Sequence, residues 1–151
     1  MKTWVFESEQ WLPLPPNQVF PFFADAFKLE LITPPMLRFR VLTPPPIWMQ
    51  AGTVIDYRLK LHGIPLPWQS EITVWEAPFR FVDVQRRGPY RLWRHEHTFI
   101  NADGGTLAHD YVEYAVLGGA LVTKLLVEPT LNKIFAYREL KLRELLAGEE
   151  V

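Results

Sequence analysis

The stretch FRFVDVQRRGPYRLWRHEHTFI, residues 79–100, determines the fold predicted for this chain. Its two halves, Phe79–Arg87 and Tyr90–Ile100, alternate with the period of two that is typical of β-strands. Gly88-Pro89 between them favours a turn, so the halves are expected to pair as an antiparallel hairpin with one apolar and one solvated face. Titratable and amide side chains interrupt the apolar face, whose members are Phe79, Phe81, Asp83, Gln85, Trp93, His95, His97 and Phe99.

The same alternation extends the predicted sheet on both sides of this hairpin. Strands are predicted over Thr3–Leu12, Thr53–Leu61 and Thr106–Val116, with a short one over Leu37–Val41. A further strand follows Thr53–Leu61 through the turn sequence His62-Gly63-Ile64-Pro65. These segments and the hairpin give seven strands in sequence.

The turn at His62-Gly63-Ile64-Pro65 sets a register for its two strands. Glycine stands first of the two central residues, which favours a type II′ turn. The resulting pairing places Leu59 opposite Trp68 and Tyr57 opposite Ser70, and all four residues belong to the apolar face. Register and hydrophobic pattern therefore agree.

The two ends of the chain differ from the middle. Pro16 suits the first turn of a helix, and apolar residues up to Leu31 predict two short helices that end before Pro34-Pro35. After Gly118-Gly119, apolar residues recur every three or four positions, which predicts one long amphipathic helix. Pro129 is expected to mark a kink or a fresh start in it.

The predicted fold is α+β, a seven-stranded curved antiparallel sheet around a long C-terminal helix, with two short helices between strands 1 and 2. A helix covers ~10 Å of width, whereas seven strands ~4.8 Å apart span about 29 Å. One helix therefore leaves part of the apolar face uncovered, and a cavity between sheet and helix is expected.

Composition excludes several classes of function. The 151 residues match a single domain, 1–151, and the absence of cysteine excludes thiol nucleophiles and disulfide scaffolds. Lys and Arg number 16 against 17 Asp and Glu, so no overall positive field attracts nucleic acid. Glu7 and Glu9 lie where a signal peptide would need an unbroken apolar stretch. No apolar run reaches the ~18 residues of a membrane span. A cytoplasmic protein without stable membrane insertion is expected.

Several segments resemble a known superfamily. They are residues 81–99, Gly104-Gly105-Thr106 followed by Asp110-Tyr111-Val112-Glu113-Tyr114, Ile134-Phe135-Ala136-Tyr137-Arg138, and Ile32-Thr33-Pro34-Pro35. On these segments the chain resembles the START-like, or polyketide cyclase/dehydratase and lipid-transport (SRPBCC), superfamily, and within it a bacterial ligand-binding subgroup. The resemblance implies a helix-grip fold and a hydrophobic pocket for lipids, polyketides or sterol-like molecules. It does not fix any chemistry.

Two histidines and two aspartates form the strongest candidate for chemistry. The strand registers place Asp83 opposite His95 and His97 opposite Asp110, close enough for hydrogen bonds. Arg138 lies on the apolar stripe of the last helix and could reach the carboxylates. The cluster is either an acid–base site, since a carboxylate that fixes a histidine tautomer prepares it for proton transfer, or a buried structural network.

A metal site is a third interpretation of these residues. His95 and His97 share a face, and the two aspartates could complete a zinc-like set of ligands. A His-x-His pattern on a strand arises often by chance, and no cysteine contributes. Neither a metal nor a cofactor is therefore expected.

The sequence favours a protein that binds a small hydrophobic molecule between the sheet and its last helix, by removing apolar surface from water. The residues expected to line the pocket are Tyr57, Trp68, Phe81, Gln85, Trp93, Phe99, Tyr114 and Arg138. The aromatic ones could equally fill a solid core. The segment Pro44–Met49 is expected to form a loop near one mouth, with Trp48 as a gate or a partner contact.

Two other functions stay open at this point. One is a polyketide-type cyclase, dehydratase or isomerase that uses the His–Asp pairs. The other is a regulatory domain that docks a protein partner through Trp11, Trp48 and Trp75. A homodimer is compatible with all of these functions.

Overall fold

The computed structural model describes residues 1–148, which build one antiparallel sheet of seven strands. The spatial order is β1-β7-β6-β5-β4-β3-β2, so β1 and β2 form the two edges. The predicted seven-stranded α+β architecture is confirmed. The strands are β1 (Trp4–Leu12), β2 (Arg40–Val41), β3 (Val54–Leu61), β4 (Ile64–Glu76), β5 (Arg80–Arg87), β6 (Leu92–Ala102) and β7 (Gly105–Ala115).

Short helical segments between β1 and β2 follow the proline pattern. Helix α1 (Pro16–Phe23) begins at Pro16, where the missing backbone N–H has no intrahelical partner to lose. A 3₁₀ segment follows over Ala26–Leu31, and the carboxylate of Asp25 accepts the N–H of Phe27 at 3.0 Å. The predicted pair of short helices is therefore confirmed.

The strand predicted over Leu37–Val41 is shorter than expected. Pro35–Leu37 form one 3₁₀ turn, in which the N–H of Leu37 donates to the carbonyl of Pro34. Arg38 then adopts a left-handed conformation with φ 46°, so the extended backbone of β2 begins only at Arg40.

The hairpin between β3 and β4 has a register different from the predicted one. His62 and Gly63 both have positive φ, 51° and 79°, and they are the two central residues of the turn. Two positive φ values are the pattern of a type I′ turn rather than type II′. Leu61 therefore pairs with Ile64 and Tyr57 with Trp68. Moving the turn by one residue moves the register by two, which leaves every side chain on its predicted face.

Phe79 was predicted on the apolar face of β5, and this prediction is wrong. Its N–H donates to the carbonyl of Glu76 at 2.9 Å, so Phe79 belongs to the turn that precedes the strand. The alternation of the strand does not apply to a turn residue, and the Phe79 side chain is 53% exposed.

The C-terminal helical region has three parts. Helix α2 (Gly119–Val122) continues through a π-helical turn over Thr123–Val127 into α3 (Glu128–Ala147). Pro129, which was expected to mark a kink or a fresh start, lies in the first turn of α3 directly after the π-helical turn, where proline is tolerated. The buried stripe of α3 consists of Leu131, Phe135, Arg138 and Leu142.

Besides a small cluster of Ala26, Ile55 and Tyr57, two larger apolar clusters form the core. One surrounds Phe20 of α1, whose ring meets the rings of Trp75, Phe81 and Phe99 edge-on, with centroids 5.1–5.7 Å apart. The other lies under α3 and includes Trp93, Val112, Tyr114, Val127, Leu131 and Phe135. The histidine pair of β6 lies between the clusters, because His97 stacks on Phe81 of the first at 4.0 Å and His95 contacts Phe135 of the second at 5.9 Å between centroids.

Truncating Phe20 to alanine is expected to lower the free energy of unfolding by about 3–5 kcal/mol, because the ring is buried among three aromatic neighbours. Phe79→Ala removes the same atoms from an exposed position and is expected to change it by less than about 0.5 kcal/mol. Urea denaturation of both variants measures the difference. Equal losses would show that the aromatic cluster around α1 is not a tightly packed core.

Candidate functional site

A cavity of about 190 Å³ lies between the concave face of the sheet and α3. Its wall is mainly apolar and includes Tyr57, Leu59, Trp68, Ile72, Phe81, Trp93, Leu131, Ile134 and Phe135. Ligand pockets usually have 300–1,000 Å³, while an engineered cavity of about 150 Å³ in another protein holds benzene. The volume therefore matches a molecule about the size of one ring.

The structure places five of the eight residues predicted to line the pocket at this cavity. They are Tyr57, Trp68, Phe81, Trp93 and Arg138. Burial, with the charge of Asp83 in addition, raises the pKa of Tyr57, so its hydroxyl stays protonated. Trp68 is fixed by its indole N–H, which donates to the hydroxyl of Ser70 at 2.9 Å.

Three of the predicted lining residues lie outside the cavity. The ring of Phe99 packs on Phe23 with centroids 5.0 Å apart, inside the cluster around α1. Tyr114 is buried in the cluster under α3. Both lie on the predicted face of the sheet, but the position of the cavity along the strands depends on where α1 and α3 cross them, which alternation does not reveal.

Gln85 does not line the cavity, and its side chain instead forms hydrogen bonds with the backbone of Tyr90. Its side-chain N–H donates to the carbonyl of Tyr90 at 2.8 Å, and its side-chain oxygen accepts the N–H of Tyr90 at 3.0 Å. These two bonds hold the Tyr90 ring against Trp93 and Trp68, with centroids 4.7 and 5.6 Å away. Tyr90 also lines the cavity. It was not among the predicted lining residues, because its position depends on the two hydrogen bonds from Gln85 and not on the alternation of a strand.

The titratable cluster has the predicted backbone register but different hydrogen-bond partners. Asp83 lies opposite His95, and His97 lies opposite Asp110. The hydrogen bonds run diagonally, from His95 Nε2 to Asp110 Oδ1 and from His97 Nε2 to Asp83 Oδ2, both 2.7 Å. The imidazole rings stack with centroids 3.6 Å apart. Each histidine bonds to an aspartate that lies two residues along the neighbouring strand from the residue directly opposite it. Such diagonal neighbours can touch in a twisted sheet.

Both carboxylates of the cluster are ionised. Burial alone would raise the pKa of Asp110, but the Arg138 guanidinium and the hydrogen bond from His95 outweigh it and hold this pKa far below its usual range. Burial also opposes ionisation of Asp83, and the hydrogen bond from His97 lowers its pKa below the ordinary value. An ionised carboxylate only accepts hydrogen bonds, so each histidine donates Nε2–H.

His97 is a neutral imidazole at pH 7. Burial, together with the neighbouring His95, lowers the pKa of His97 to about 4, against the opposing effect of the carboxylates of Asp83 and Asp110. Its Nδ1 has no hydrogen-bond partner within residues 1–148 and lies 3.5 Å from Asp110 Oδ1.

Arg138 brings an incompletely paired cation to the cavity wall. Its Nη2 lies 3.6 Å from Asp110 Oδ1, beyond a hydrogen bond, and neither Nε nor Nη2 has a hydrogen-bond partner in the described part of the chain. The guanidinium lies over the rings of Phe23 and Phe135 at 5.1 and 5.5 Å. With two carboxylates, two histidines and one guanidinium, the cluster has a formal charge of −1 when both histidines are neutral.

Three residues of the cluster offer donor atoms that could hold a metal. One atom each from Asp83, His95 and His97 lies within 4.8 Å of the others. In this structure the Nε2 atoms of both histidines are engaged by carboxylates, that of His95 by Asp110 and that of His97 by Asp83.

The three tryptophans considered as a docking surface differ in their exposure and contacts. Trp75 is half-buried against Phe20 and Phe81, and Trp11 donates its indole N–H to the carbonyl of Ala102 at 2.8 Å. Trp48 is 78% exposed, while its neighbour Met49 lines the cavity. The Pro44–Met49 segment therefore borders the cavity, as predicted.

A curved antiparallel sheet that holds a long C-terminal helix over a cavity defines a helix-grip protein. Similar solved structures include protein Ms6760 from Mycobacterium smegmatis (TM-score 0.70, 18% identity, 95% of this chain and 91% of that one) and the Zhui aromatase/cyclase from Streptomyces sp. R1128 (TM-score 0.68, 15% identity, 99% and 100%). Ara h 8.0201 has a TM-score of 0.64 at 18% identity, over 91% and 96% of the two chains.

Residues 12–136 match the family described as polyketide cyclase / dehydrase and lipid transport, and the chain belongs to this family. No curated protein matches the sequence significantly. Within residues 1–148, no helix combines the length and apolarity needed to span a bilayer.

Acidification is expected to destabilise the protein through His97. Its folded pKa of about 4 lies below the ordinary 6.5, so the unfolded chain takes up a proton first. The contribution that the neutral His97 makes to the free energy of unfolding is complete above pH 6.5 and is lost as the pH falls toward 4. Between pH 7 and pH 5 this amounts to about 2 kcal/mol of unfolding free energy.

The Asp83 and Asp110 carboxylates do not contribute in that window, since their lowered pKa values act below pH 4. His97→Gln keeps a donor for Asp83 and removes the titration. Urea denaturation at pH 7 and pH 5 should therefore show a smaller loss in His97→Gln than in the wild type. The same loss in both proteins would mean that His97 is not buried as a neutral group.

Proposed function

We propose that the cavity binds a small, neutral and mainly apolar molecule that carries one oxygen acceptor. The observation that carries this proposal is an apolar cavity with incompletely paired polar side chains at its wall, Arg138 and His97. Apolar parts of a ligand gain roughly 25 cal/mol per Å² removed from water. A few polar groups in an otherwise apolar pocket then fix its orientation.

Arg138 defines the polar part of this ligand. Its Nε and Nη2 are donors without hydrogen-bond partners among residues 1–148, and buried donors without partners cost about 1–3 kcal/mol each. A carbonyl or ether oxygen would accept from the guanidinium without adding charge. A carboxylate would bring a third negative charge to a cluster that holds one cation, which is unfavourable in a buried site.

The volume limits the size of the ligand. About 190 Å³ accommodates one ring or a short chain. The family description covers polyketides and lipids, and a fused multi-ring molecule would need the walls to move. We therefore place the ligand at the small end of the range that the family suggests.

Acetophenone, ethylbenzene and benzoate have similar shapes but differ in polarity and charge. Comparing their affinities separates the effect of an oxygen acceptor from the effect of a negative charge. We expect acetophenone to bind about tenfold more tightly than ethylbenzene, because a hydrogen bond to a charged donor contributes about 1.5–3 kcal/mol, and we expect benzoate to bind most weakly. Isothermal titration calorimetry measures the three affinities. In Arg138→Met the preference for the ketone should disappear.

Two results would contradict the proposal. One is that none of the three compounds binds to the folded protein. The other is that benzoate binds as tightly as acetophenone, because then the negative charge of the cluster does not exclude anions.

A second candidate function is proton transfer at a carbon next to a carbonyl, as in an isomerase or dehydratase. The observation that favours it is the fixed tautomer of His95, whose Nε2–H is held by Asp110. Nδ1 is then the basic nitrogen of a residue at the cavity wall. A guanidinium at the same wall would stabilise the negative charge that forms on the carbonyl oxygen.

Exchange of the α-hydrogens of acetophenone for deuterium tests this second function. In D₂O the protein should accelerate the loss of the methyl proton signal in NMR spectra, and His95→Gln should reduce the acceleration at least about tenfold, because general base catalysis contributes 10²–10⁴-fold. His109→Gln is the matched control, since His109 pairs with Glu7 away from the cavity. Unchanged exchange in His95→Gln would exclude His95 as the base.

A further inference from the structure

A second, larger space adjoins the cavity at the β2 edge of the sheet. This groove, which we call the vestibule, has a volume of about 710 Å³. Thr33, Phe39 and Leu59 line both the vestibule and the cavity. Helix α3 also contributes to both, with Tyr137 in the vestibule and Arg138 in the cavity.

The vestibule is strongly cationic. Arg38, Arg40, Arg58 and Lys60 line it, against the single carboxylate of Glu30. Glu30 lies 3.9 Å from Arg40, and its other oxygen accepts the N–H of Val41. Arg38, Arg58 and Lys60 have no ion-pair partner in the part of the chain that the structure describes.

The sheet places like charges next to each other in this groove. Arg40 of β2 lies directly opposite Arg58 of β3, and Lys60 follows Arg58 on the same face. Like charges directly opposite each other destabilise a sheet. Two other arginines of the outer face differ from these, because Arg80 pairs with Glu76 and Glu96, and Arg86 pairs with Glu71.

The cavity and the vestibule therefore have opposite charge preferences. With both histidines neutral, the cluster at the cavity wall carries a charge of −1 and disfavours an anion. The vestibule has a net charge of about +3 and favours one. Guanidinium groups bind phosphate oxygens in a bidentate manner. A molecule that satisfies both spaces has an apolar, uncharged end and an anionic end.

From this arrangement we infer that the vestibule binds the phosphate group of an amphiphilic ligand whose apolar end occupies the cavity. The inference rests on the proposed function, since it requires an apolar group in the cavity. The phosphate could belong to a soluble phosphoester or to a phospholipid head group, which present the same oxygens to the arginines.

Hexyl phosphate and hexan-1-ol separate the contributions of the two spaces. By calorimetry at low salt, hexyl phosphate should bind at least about tenfold more tightly than hexan-1-ol. Raising the salt from about 50 to 500 mM should remove most of this advantage, because exposed charges are screened. Affinity for hexan-1-ol should stay unchanged.

Variants locate the effect in the vestibule. Arg58→Gln combined with Lys60→Gln should abolish the preference for hexyl phosphate and leave hexan-1-ol binding intact. Arg91→Gln combined with Lys124→Gln removes the same charge from exposed positions outside the vestibule and should preserve the preference. An equal effect of the two double variants would overturn the inference, because a general charge effect would then explain the binding.

The two possible sources of phosphate are compared by sedimentation with phosphatidylglycerol vesicles. Vesicle binding that Arg58→Gln with Lys60→Gln removes, without binding of hexyl phosphate, assigns the phosphate to a lipid. Binding of hexyl phosphate assigns it to a soluble ligand. If hexan-1-ol binds as well as hexyl phosphate and vesicles do not bind, the vestibule inference fails and the cavity proposal stands. If no probe binds, both fail.

Discussion

The ion pair between Arg138 and Asp110 determines how the last helix lies on the sheet. Arg138 occupies the buried stripe of α3, between Phe135 and Leu142. A guanidinium can be buried there only with a negative partner, because an unpaired buried charge costs several kcal/mol. Rotating α3 by one residue would bring Tyr137 or Glu139 toward Asp110 in place of Arg138, and the guanidinium would lose its carboxylate partner. The charge on the floor of the site thus specifies the orientation of the helix above it.

The polar cluster also separates the two halves of the core. The stacked imidazoles of His95 and His97 contact Phe81 on one side and Phe135 on the other. Their Nε2–H groups are held by carboxylates, so the rings pack as aromatic surfaces while these two polar groups are satisfied. Removing one member of such a network leaves its buried partner without a hydrogen bond, which costs stability.

Alternation predicted which face each strand residue occupies, and turn length predicted the registers of β5, β6 and β7. The register of β3 and β4 was wrong by two, because Gly63 fits the centre of two successive turns and both preserve the faces. The diagonal His–Asp bonds were not predictable, since they depend on side-chain rotation in a twisted sheet. The roles of Gln85 and Tyr90 were missed because they depend on two hydrogen bonds from the Gln85 side chain to the backbone of Tyr90, which alternation does not reveal.

The fold determines where the cavity lies, and a few aromatic side chains determine its size. Trp68, Tyr90 and Trp93 contact one another with centroids 4.7–5.6 Å apart and occupy one part of the space under α3. Smaller residues at these positions would lengthen the cavity without changing a strand or the helix. The size of the cavity can therefore change without a change of fold, because the side chains that fill the space are not those that build the sheet.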